Sequence, residues 1–212
     1  MTKKMLQQIA LMLFAGLSST SSQSSIEYIT SETIITPELS SGAIIRQEPG
    51  FETDFLVLHC LVKKFNPKNL FEIGTCQGYG TLIMANACPS CSIISLELPP
   101  YTPPYSMAPS DIGYKCRRPY KQIYGNSMSY DYTQHFPVDA WFIDGAHDYK
   151  HVEHETKQAA KSGAKLIIYH DTDIEEVLQA VIDGLAGTEY KLYRITDTRV
   201  SYAVKQNAIS LE

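Results

Sequence analysis

The most constraining feature of this sequence is a set of four short apolar runs, each of which closes on polar side chains. The runs are NLFEIG, SIISLEL, VDAWFIDG and GAKLIIYHD. Their β-branched and aromatic residues predict buried strands, and segments of helical character separate them. Strands that alternate with helices are typical of a parallel sheet with helices on both faces. The runs close on Glu72, Glu97, Asp144 and the pair His170–Asp171. Because ligands bind beyond the carboxyl ends of such strands, we expect these side chains to border one crevice.

In the rest of the chain we expect helices, one long loop, a short strand over KQIYGNS and a terminal hairpin. Apolar residues recur with helical spacing from Phe51 to Phe65, and Pro67 is expected to end that helix. Further helices are predicted over YGTLIMANAC, near 128–135, over 148–162 and near 174–184. Residues 26–50 are interpreted as an irregular lead-in, and residues 99–119, rich in Pro and Tyr, as a long loop of the kind that often has a function. The segments YKLYRIT and VSYAVK are predicted to form an antiparallel pair.

The first 25 residues are interpreted as a leader, and residues 26–212 as one domain, which suits a chain of 212 residues. Lys3 and Lys4 precede an apolar stretch and a Ser-rich tract, which is the outline of a secretory signal. Gln7 and Gln8 interrupt the apolar stretch, and no obvious cleavage site follows, so a leader helix with a Ser-rich linker is the alternative. The stretch is too short to span a bilayer, and no other segment looks transmembrane.

Charge and cysteine content limit the partners of the chain. The net charge is −5, with no concentration of basic residues, so we do not expect a nucleic-acid partner. Five cysteines cannot all pair with one another, which suits a reducing compartment. Cys88 and Cys91 form a CPSC pair, which is interpreted as two incidental thiols, with half of a zinc site or a redox pair as alternatives.

A glycine-rich turn, FEIGTCQGYG, follows the first of the four runs. Gly74 and Gly78 bracket the turn and would let the backbone approach a ligand closely. The spacing differs from the dinucleotide-binding pattern, and no Gly-Lys-Ser/Thr of a phosphate-binding loop is present. Glu97, at the end of the next strand, is placed to accept hydrogen bonds from ribose hydroxyls.

In this order, FEIGTCQGYGTLIMA, ISLEL, YGNSMSYD, VDAWFIDGAHDYKHVEHETKQAAK and GAKLIIYHDT resemble the class I S-adenosylmethionine-dependent methyltransferases. The most similar group contains metal-dependent O-methyltransferases of the macrocin and mycinamicin type. The resemblance covers roughly residues 50–205. It implies a Rossmann-like, doubly wound sheet of seven mostly parallel strands with an antiparallel C-terminal strand.

The resemblance also implies a site for S-adenosyl-L-methionine. The residues expected to hold its methionine part are Glu72, Gly74 and Gly78. Glu97 would bind the ribose, and Asn126 and Ser127 would border the adenine. Thr75 and Asp144 are also expected to bind the cofactor. Cys76 departs from the family pattern, which usually has Gly there, and Asn126 replaces the usual Asp.

Asp144 and Asp171 end neighbouring predicted strands, so their carboxylates can converge on a divalent metal such as Mg²⁺. Related enzymes have an acid pair where this chain has His170–Asp171, and a His ligand would favour Mn²⁺, Zn²⁺ or Fe²⁺. His147 matches the proposed base of the sugar methyltransferases. The alternatives are that Asp144 caps the following helix and that His147 is an ordinary loop residue. His151 and His154 are interpreted as a solvated helix face, and Asp148 as an acid favoured at a helix start.

We therefore expect an S-adenosylmethionine-dependent methyltransferase that acts on a hydroxyl of a sugar or other small molecule, with metal assistance. A cytoplasmic location is expected because the cofactor is supplied there, with export through the N-terminal signal as the alternative. One rival is a metal-dependent hydroxylase-like enzyme on the same scaffold, since cephalosporin hydroxylase-like proteins resemble this group too. Another is a non-catalytic cofactor-binding subunit. The sequence leaves open whether the chain forms a homo-oligomer.

Overall fold

The computed structural model of the protein describes residues 26–44, 50–104 and 106–206. The strands are β1 (Ile26–Ile29), β2 (Asn69–Ile73), β3 (Ser92–Glu97), β4 (Lys121–Tyr124), β5 (Ala140–Ile143), β6 (Leu166–Tyr169), β7 (Tyr190–Ile195) and β8 (Ser201–Lys205). The helices are α1 (Pro37–Ser40), α2 (Glu52–Phe65), α3 (Tyr79–Ala87), α4 (Tyr149–Lys161) and α5 (Glu175–Leu185). Short 3₁₀ turns lie at Ser31–Thr33 and Tyr132–His135.

All eight strands form one sheet in the order β1-β7-β8-β6-β5-β2-β3-β4. Every neighbouring pair is parallel except the two pairs that contain β8. This confirms the predicted Rossmann-like sheet with an antiparallel C-terminal strand. The sheet has one strand more than the seven expected, because Ile26–Ile29, predicted as irregular, pairs in parallel with β7. A four-residue edge strand without continuous burial has little signal in the sequence.

Helices cover both faces of the sheet, and each face has its own core. On one face, α2 and α3 contribute Leu58, Leu61 and Met84 to a cluster with Phe142 of β5. On the other face, α4 and α5 pack against Trp141 and its neighbours. The central strands β5 and β6 are buried along their whole length, which explains their unbroken apolar sequences. The core therefore holds the carboxyl ends of β2, β5 and β6 at fixed positions along one edge.

The helix predicted near 128–135 is only a 3₁₀ turn. Asn126 accepts a hydrogen bond from the backbone of Met128 at 2.9 Å, and Asp131 accepts one from Thr133 at 3.0 Å. These side chains satisfy backbone donors in turns and so compete with a helix. Pro137 follows at once and cannot continue a helix. The long loop predicted at 99–119 contains no helix or strand among its described residues.

The predicted leader, residues 1–25, lies outside the described residues. The prediction about export depends on this leader. Within 26–44, 50–104 and 106–206, no helix has both the length and the apolar character that crossing a membrane requires.

Candidate active site

The glycine-rich turn between β2 and α3 lies against the carboxyl ends of two neighbouring strands. Gly74 and Gly78 both have left-handed backbones, with φ of 92° and 88°. A Cβ at Gly74 would overlap the carbonyl group of Asp144, and a Cβ at Gly78 would meet Gly113 of the long loop at 2.8 Å. Glycine is thus required at both positions, for conformation and for close approach.

Glu97 joins the end of β3 to this turn. Its Oε2 accepts a hydrogen bond of 2.7 Å from the backbone N–H of Cys76, and its Oε1 accepts one of 2.8 Å from Leu98. Cys76 has a φ of 45°, which a glycine would adopt at lower cost. The carboxylate of Glu97 remains half-buried and can accept further hydrogen bonds, as its predicted contact with ribose hydroxyls requires.

Thr75 is placed within the turn, with its side chain directed into the protein. It is 2% exposed, and its hydroxyl lies 2.6 Å from that of Ser95 and accepts a hydrogen bond of 2.9 Å from Gln122. These contacts tie the turn to β3 and β4. Any contact of Thr75 with a cofactor would therefore be made by its backbone.

Glu72 lies beneath the turn and is completely buried. Its Oε2 accepts a hydrogen bond of 2.5 Å from Thr81, whereas its Oε1 has no hydrogen-bond partner among the described residues. Burial raises the pKa of Glu72 from 4.5 to about 8, despite the opposing effect of Ser95 and Thr81. The side chain is therefore largely protonated at neutral pH, and its predicted contact with the cofactor stays a prediction.

Two aspartates and two histidines converge where β5 and β6 end. His147 Nε2 lies 3.0 Å from Asp171 Oδ2 and 4.0 Å from Asp144 Oδ1. On the other side, His170 Nδ1 lies 3.1 Å from Asp171 Oδ2 and 3.3 Å from Asp144 Oδ1. Asp144, His147 and Asp171 each offer a ligand atom within 4.8 Å of the others, so they form a candidate metal cluster. Four side chains that the sequence placed at strand ends or just beyond thus form one acid–histidine cluster.

Electrostatics within the acid–histidine cluster shift the pKa of three of its members. Burial disfavours a charged His170, but Asp144, Asp171 and Asp54 outweigh burial and raise the pKa of His170 to about 12. The contact with Asp171 raises the pKa of His147, against the effect of burial. Burial would raise the pKa of Asp171, but the two histidines hold it well below its usual range. The carboxylates therefore favour the protonated forms of both histidines, and the histidines favour the ionised form of Asp171.

Exposure and backbone conformation differ between the members of the acid–histidine cluster. The side chain of His147 is 42% exposed, whereas that of His170 is 4% exposed. Asp171 has a φ of 54°, a left-handed conformation that few residues other than glycine adopt. Such strain is typical of functional positions. His147 can reach a bound molecule from solvent, whereas His170 can act only towards its buried neighbours.

The residues predicted to border the adenine follow β4. Asn126 is exposed, and its Oδ1 is occupied by the backbone of Met128. The backbone carbonyl of Ser127 accepts a hydrogen bond of 2.9 Å from Tyr132. Both residues lie on the same sheet edge as Glu97, because β3 and β4 are parallel neighbours. Their contact with a cofactor stays a prediction.

The long loop closes over the outer side of the glycine-rich turn. Gly113 donates a backbone hydrogen bond of 2.8 Å to Cys76, and Lys115 donates one of 2.9 Å to Gln77. Ile112 is buried beside them. The second half of the loop is thus fixed to the turn that the sequence assigned to the cofactor.

Helix α4 is capped by Asp148, as its sequence position predicted. Asp148 Oδ1 accepts hydrogen bonds of 3.1 and 3.2 Å from the backbones of Lys150 and His151. This excludes the alternative in which Asp144 caps the helix. His151 pairs with Asp148 at 2.7 Å on the outer surface and does not join the acid–histidine cluster.

Many solved structures share this fold, and three of them illustrate the similarity. A cofactor-bound protein from MTB, Rv0187, is 15% identical, with a TM-score of 0.57 over 80% of this chain and 87% of its own. The methyltransferase PaMTH1 of Podospora anserina, bound to SAH, is 11% identical, with a TM-score of 0.55 over 97% of each chain. An O-methyltransferase from Bacillus cereus, in complex with SAH, is 17% identical, with a TM-score of 0.52 over 93% and 97%. No curated protein matches the sequence.

A family model described as a methyltransferase domain matches residues 71–172, just under half of the chain. This segment is therefore similar to methyltransferase domains, and we refer to it below as the methyltransferase domain. The prediction of a methyltransferase and of its fold is thereby confirmed, whereas the narrower macrocin-type group is not. The methyltransferase domain contains every residue predicted for the cofactor, the metal and the base, from Glu72 to Asp171.

Two buried acids near the site were missed in the sequence. Asp54 of α2 is 3% exposed and lies beside His170, outside the methyltransferase domain. Glu155 of α4 is completely buried, and burial raises its pKa to about 7, against the influence of Ser127. Each acid interrupts an apolar helix face at helical spacing, Asp54 between Phe51 and Phe55, and Glu155 three residues after Val152. An acidic residue within an apolar helix face is the signal in the sequence that could have identified these two buried acids.

Proposed function

We propose that the chain transfers the methyl group of S-adenosyl-L-methionine to a hydroxyl oxygen of a small molecule, and that a divalent metal such as Mg²⁺ or Mn²⁺ assists. The observation that carries this proposal is the convergence of Asp144, His147, His170 and Asp171 beside the glycine-rich turn. The methyltransferase domain and the SAH-bound structures of the same fold support the cofactor. The solved O-methyltransferase supports oxygen as the acceptor atom.

The glycine-rich turn and the ends of β3 and β4 would hold the cofactor. In this proposal the backbone of Gly74 to Gly78 contacts the methionine part, and Glu97 accepts hydrogen bonds from the ribose. Asn126 and Ser127 border the adenine. Support comes from the left-handed glycines, which bring the backbone close to any ligand, and from the half-exposed carboxylate of Glu97.

The donor set fits a divalent metal. Both ring nitrogens of His170 are buried and lack a hydrogen bond of good geometry among the described residues, although Nδ1 lies within 3.3 Å of two carboxylates. Nδ1 points between two carboxylate oxygens, so a metal ion that takes the place of its proton could be shared by all three atoms. Asp144, His170 and Asp171 would hold the metal, and His147, the third member of the candidate metal cluster, would be left to act as a base. This mixed nitrogen and oxygen set suits Mn²⁺ as well as Mg²⁺. A metal bound there would lower the pKa of the acceptor hydroxyl and fix its position.

His147 is the proposed base. The hydroxyl oxygen would attack the methyl carbon as the carbon–sulfur bond breaks, and the sulfur would keep the bonding electrons. The hydroxyl proton would pass to Nδ1 of His147, because Nε2 faces Asp171. Asp171, 3.0 Å from Nε2, would orient the ring and stabilise the imidazolium that forms. The 42% exposure of His147 leaves it accessible to an acceptor. Aligning acceptor and methyl group is the main remaining task of the site.

Sugars and phenols are the acceptors to screen first, because both carry hydroxyls that a metal at the acid–histidine cluster would activate. An open cleft of about 450 Å³ between the start of α2 and the turn from β7 to β8 is a separate feature, since Asp54 and Arg199 line it but none of the four cluster side chains does.

The test is product analysis with labelled S-adenosylmethionine and a panel of sugars and phenols, with and without Mn²⁺. A labelled methyl ether that wild type forms, and that His147→Gln forms far more slowly, is the expected result. The mixture of two histidines and two carboxylates also suits a metal-dependent hydroxylase. In that case the product gains oxygen in place of a methyl group. Cofactor binding without any product, unaffected by His147→Gln, would instead identify a non-catalytic subunit.

A cytoplasmic location belongs to the same proposal, because S-adenosylmethionine is made and used there. So does the division into a leader, residues 1–25, and a domain from residue 26. N-terminal sequencing of the protein from its native host tests both. A mature start near residues 20–26 would indicate export.

A further inference from the structure

Asp54 lies on the side of the His170 ring that faces away from the predicted metal ligands. Its carboxylate is 3% exposed, and its Oδ2 lies 3.4 Å from His170 Nε2. The other ring nitrogen, Nδ1, faces Asp171 at 3.1 Å and Asp144 at 3.3 Å. The imidazole therefore stands between one carboxylate supplied by helix α2 and two carboxylates at the edge of the sheet.

Both His170 and Asp54 are held in place by their surroundings. The His170 ring stacks against Phe51 and Phe55, with centroids 6.2 and 6.0 Å away and interplanar angles of 7° and 22°. Asp54 accepts hydrogen bonds from the backbone N–H and the Nε of Arg199, at 3.0 and 2.8 Å. Neither the ring nor the carboxylate can turn away without losing these contacts.

A neutral imidazole carries one N–H and one lone pair, and its neighbours decide which nitrogen has which. Histidines that bind metals usually donate their other N–H to a carboxylate, which fixes the tautomer and the ring orientation. We propose that Asp54 is a positioning residue: when a metal takes the place of the Nδ1 proton beside Asp144 and Asp171, Asp54 holds the remaining proton of His170 on Nε2. This inference rests on the metal assistance in the proposed function.

Two matched variants separate this role from a purely structural one, in which Asp54 only fixes the β7–β8 turn through Arg199. Asp54→Asn keeps the size of the side chain and an acceptor for Arg199, but removes the anion beside Nε2. We expect its affinity for Mn²⁺, measured by calorimetry, to fall by about 10- to 100-fold. Arg199→Gln removes the Nε contact, and also the positive charge 3.9 Å from Asp171 Oδ1, but leaves Asp54 beside His170, so its affinity should equal or exceed that of wild type. Equal losses in the two variants, or no loss in Asp54→Asn, would overturn the proposal.

A double-mutant cycle tests whether Asp54 acts through His170. In a His170→Gln background, Asp54→Asn should cause little further loss of Mn²⁺ affinity. An undiminished further loss would show that Asp54 acts by another route.

Nuclear magnetic resonance of the wild-type protein tests the tautomer without any substitution. In the presence of Zn²⁺, the ¹⁵N shifts of His170 should show a protonated Nε2 and an unprotonated Nδ1. The opposite tautomer would overturn the proposal. Titration of the same samples with S-adenosylmethionine keeps the two proposals apart. A wild-type protein that binds the cofactor but no metal would overturn the role of Asp54 and leave methyl transfer standing.

Discussion

The protonated state of Glu72 has a measurable consequence for stability. The pKa of Glu72 is raised from 4.5 to about 8 because the carboxyl group is completely buried. The folded chain therefore binds this proton more tightly than the unfolded chain does. It follows that the contribution of Glu72 to stability is complete below about pH 4.5 and is lost progressively as the pH rises towards about 8. Glu72→Gln replaces the neutral acid by a neutral amide of the same size and removes this dependence.

The size of the effect follows from the pKa difference. One pKa unit corresponds to about 1.4 kcal/mol, and between about pH 5 and about pH 8 the side chain is ionised mainly in the unfolded chain. Glu72→Gln should therefore gain about 3 kcal/mol in free energy of unfolding, relative to wild type, on going from about pH 5 to about pH 8. No correction for solvent screening is needed, because the group is completely buried.

Urea denaturation of the apo protein at the two pH values measures this difference. Trp141 is the only tryptophan and is fully buried in β5, so its fluorescence reports unfolding directly. Glu32→Gln is the matched control, since Glu32 is exposed and its replacement should have the same small effect at both pH values. A Glu72→Gln variant that gains no stability over wild type between the two pH values would refute the argument that burial keeps Glu72 protonated.

Three further outcomes are expected. His147→Gln should lower kcat by about 10²- to 10⁴-fold in a methyl-transfer assay, as loss of a general base does, whereas His151→Gln should leave kcat nearly unchanged. Equal effects of the two variants would contradict the assignment of His147 as the base. Glu97→Gln should weaken S-adenosylmethionine binding by roughly 10- to 100-fold in calorimetry, because it removes the negative charge that accepts hydrogen bonds beside the glycine-rich turn. An unchanged affinity would exclude a contact between Glu97 and the ribose. Gly74→Ala should lower the free energy of unfolding by more than about 3 kcal/mol in urea denaturation, because its Cβ would overlap the backbone of Asp144. Gly187→Ala, at a φ of 73° with open space around it, should lower it by only about 1 kcal/mol, and similar losses in the two variants would show that φ alone matters.

Much of the fold was predictable because its central strands are buried on both faces. The runs that became β2, β3, β5 and β6 are apolar and end on polar residues, so both their positions and their shared edge could be read from the sequence. Strand β1 was missed because only its pairing with β7 makes it a strand. The 3₁₀ turn at Tyr132–His135 was taken for a helix because side-chain contacts of Asn126 and Asp131 decide its backbone.

The candidate site was predictable where residue type and strand position act together. Asp144, His147, His170 and Asp171 converge because β5 and β6 are parallel neighbours. Asp54 could not be placed beside them from the sequence, because no spacing rule relates helix α2 to the end of β6. Its contact depends on how α2 packs and on Arg199, which lies 145 residues further along the chain.

The two acids that end β2 and β5 have different environments, and this difference separates their roles. Glu72 is completely buried and held neutral, whereas Asp144 is partly exposed beside two histidines. The sulfonium of S-adenosylmethionine is positive, and this charge is dispersed as the methyl group leaves. A further carboxylate close to the sulfonium would bind the ground state more tightly than the transition state and so slow the reaction. We therefore expect Glu72 to support the turn from below as a neutral group, and Glu72→Gln to bind S-adenosylmethionine about as tightly as wild type at neutral pH. A loss of affinity in calorimetry as large as that of Glu97→Gln would show instead that Glu72 is ionised in the complex and holds the cofactor directly.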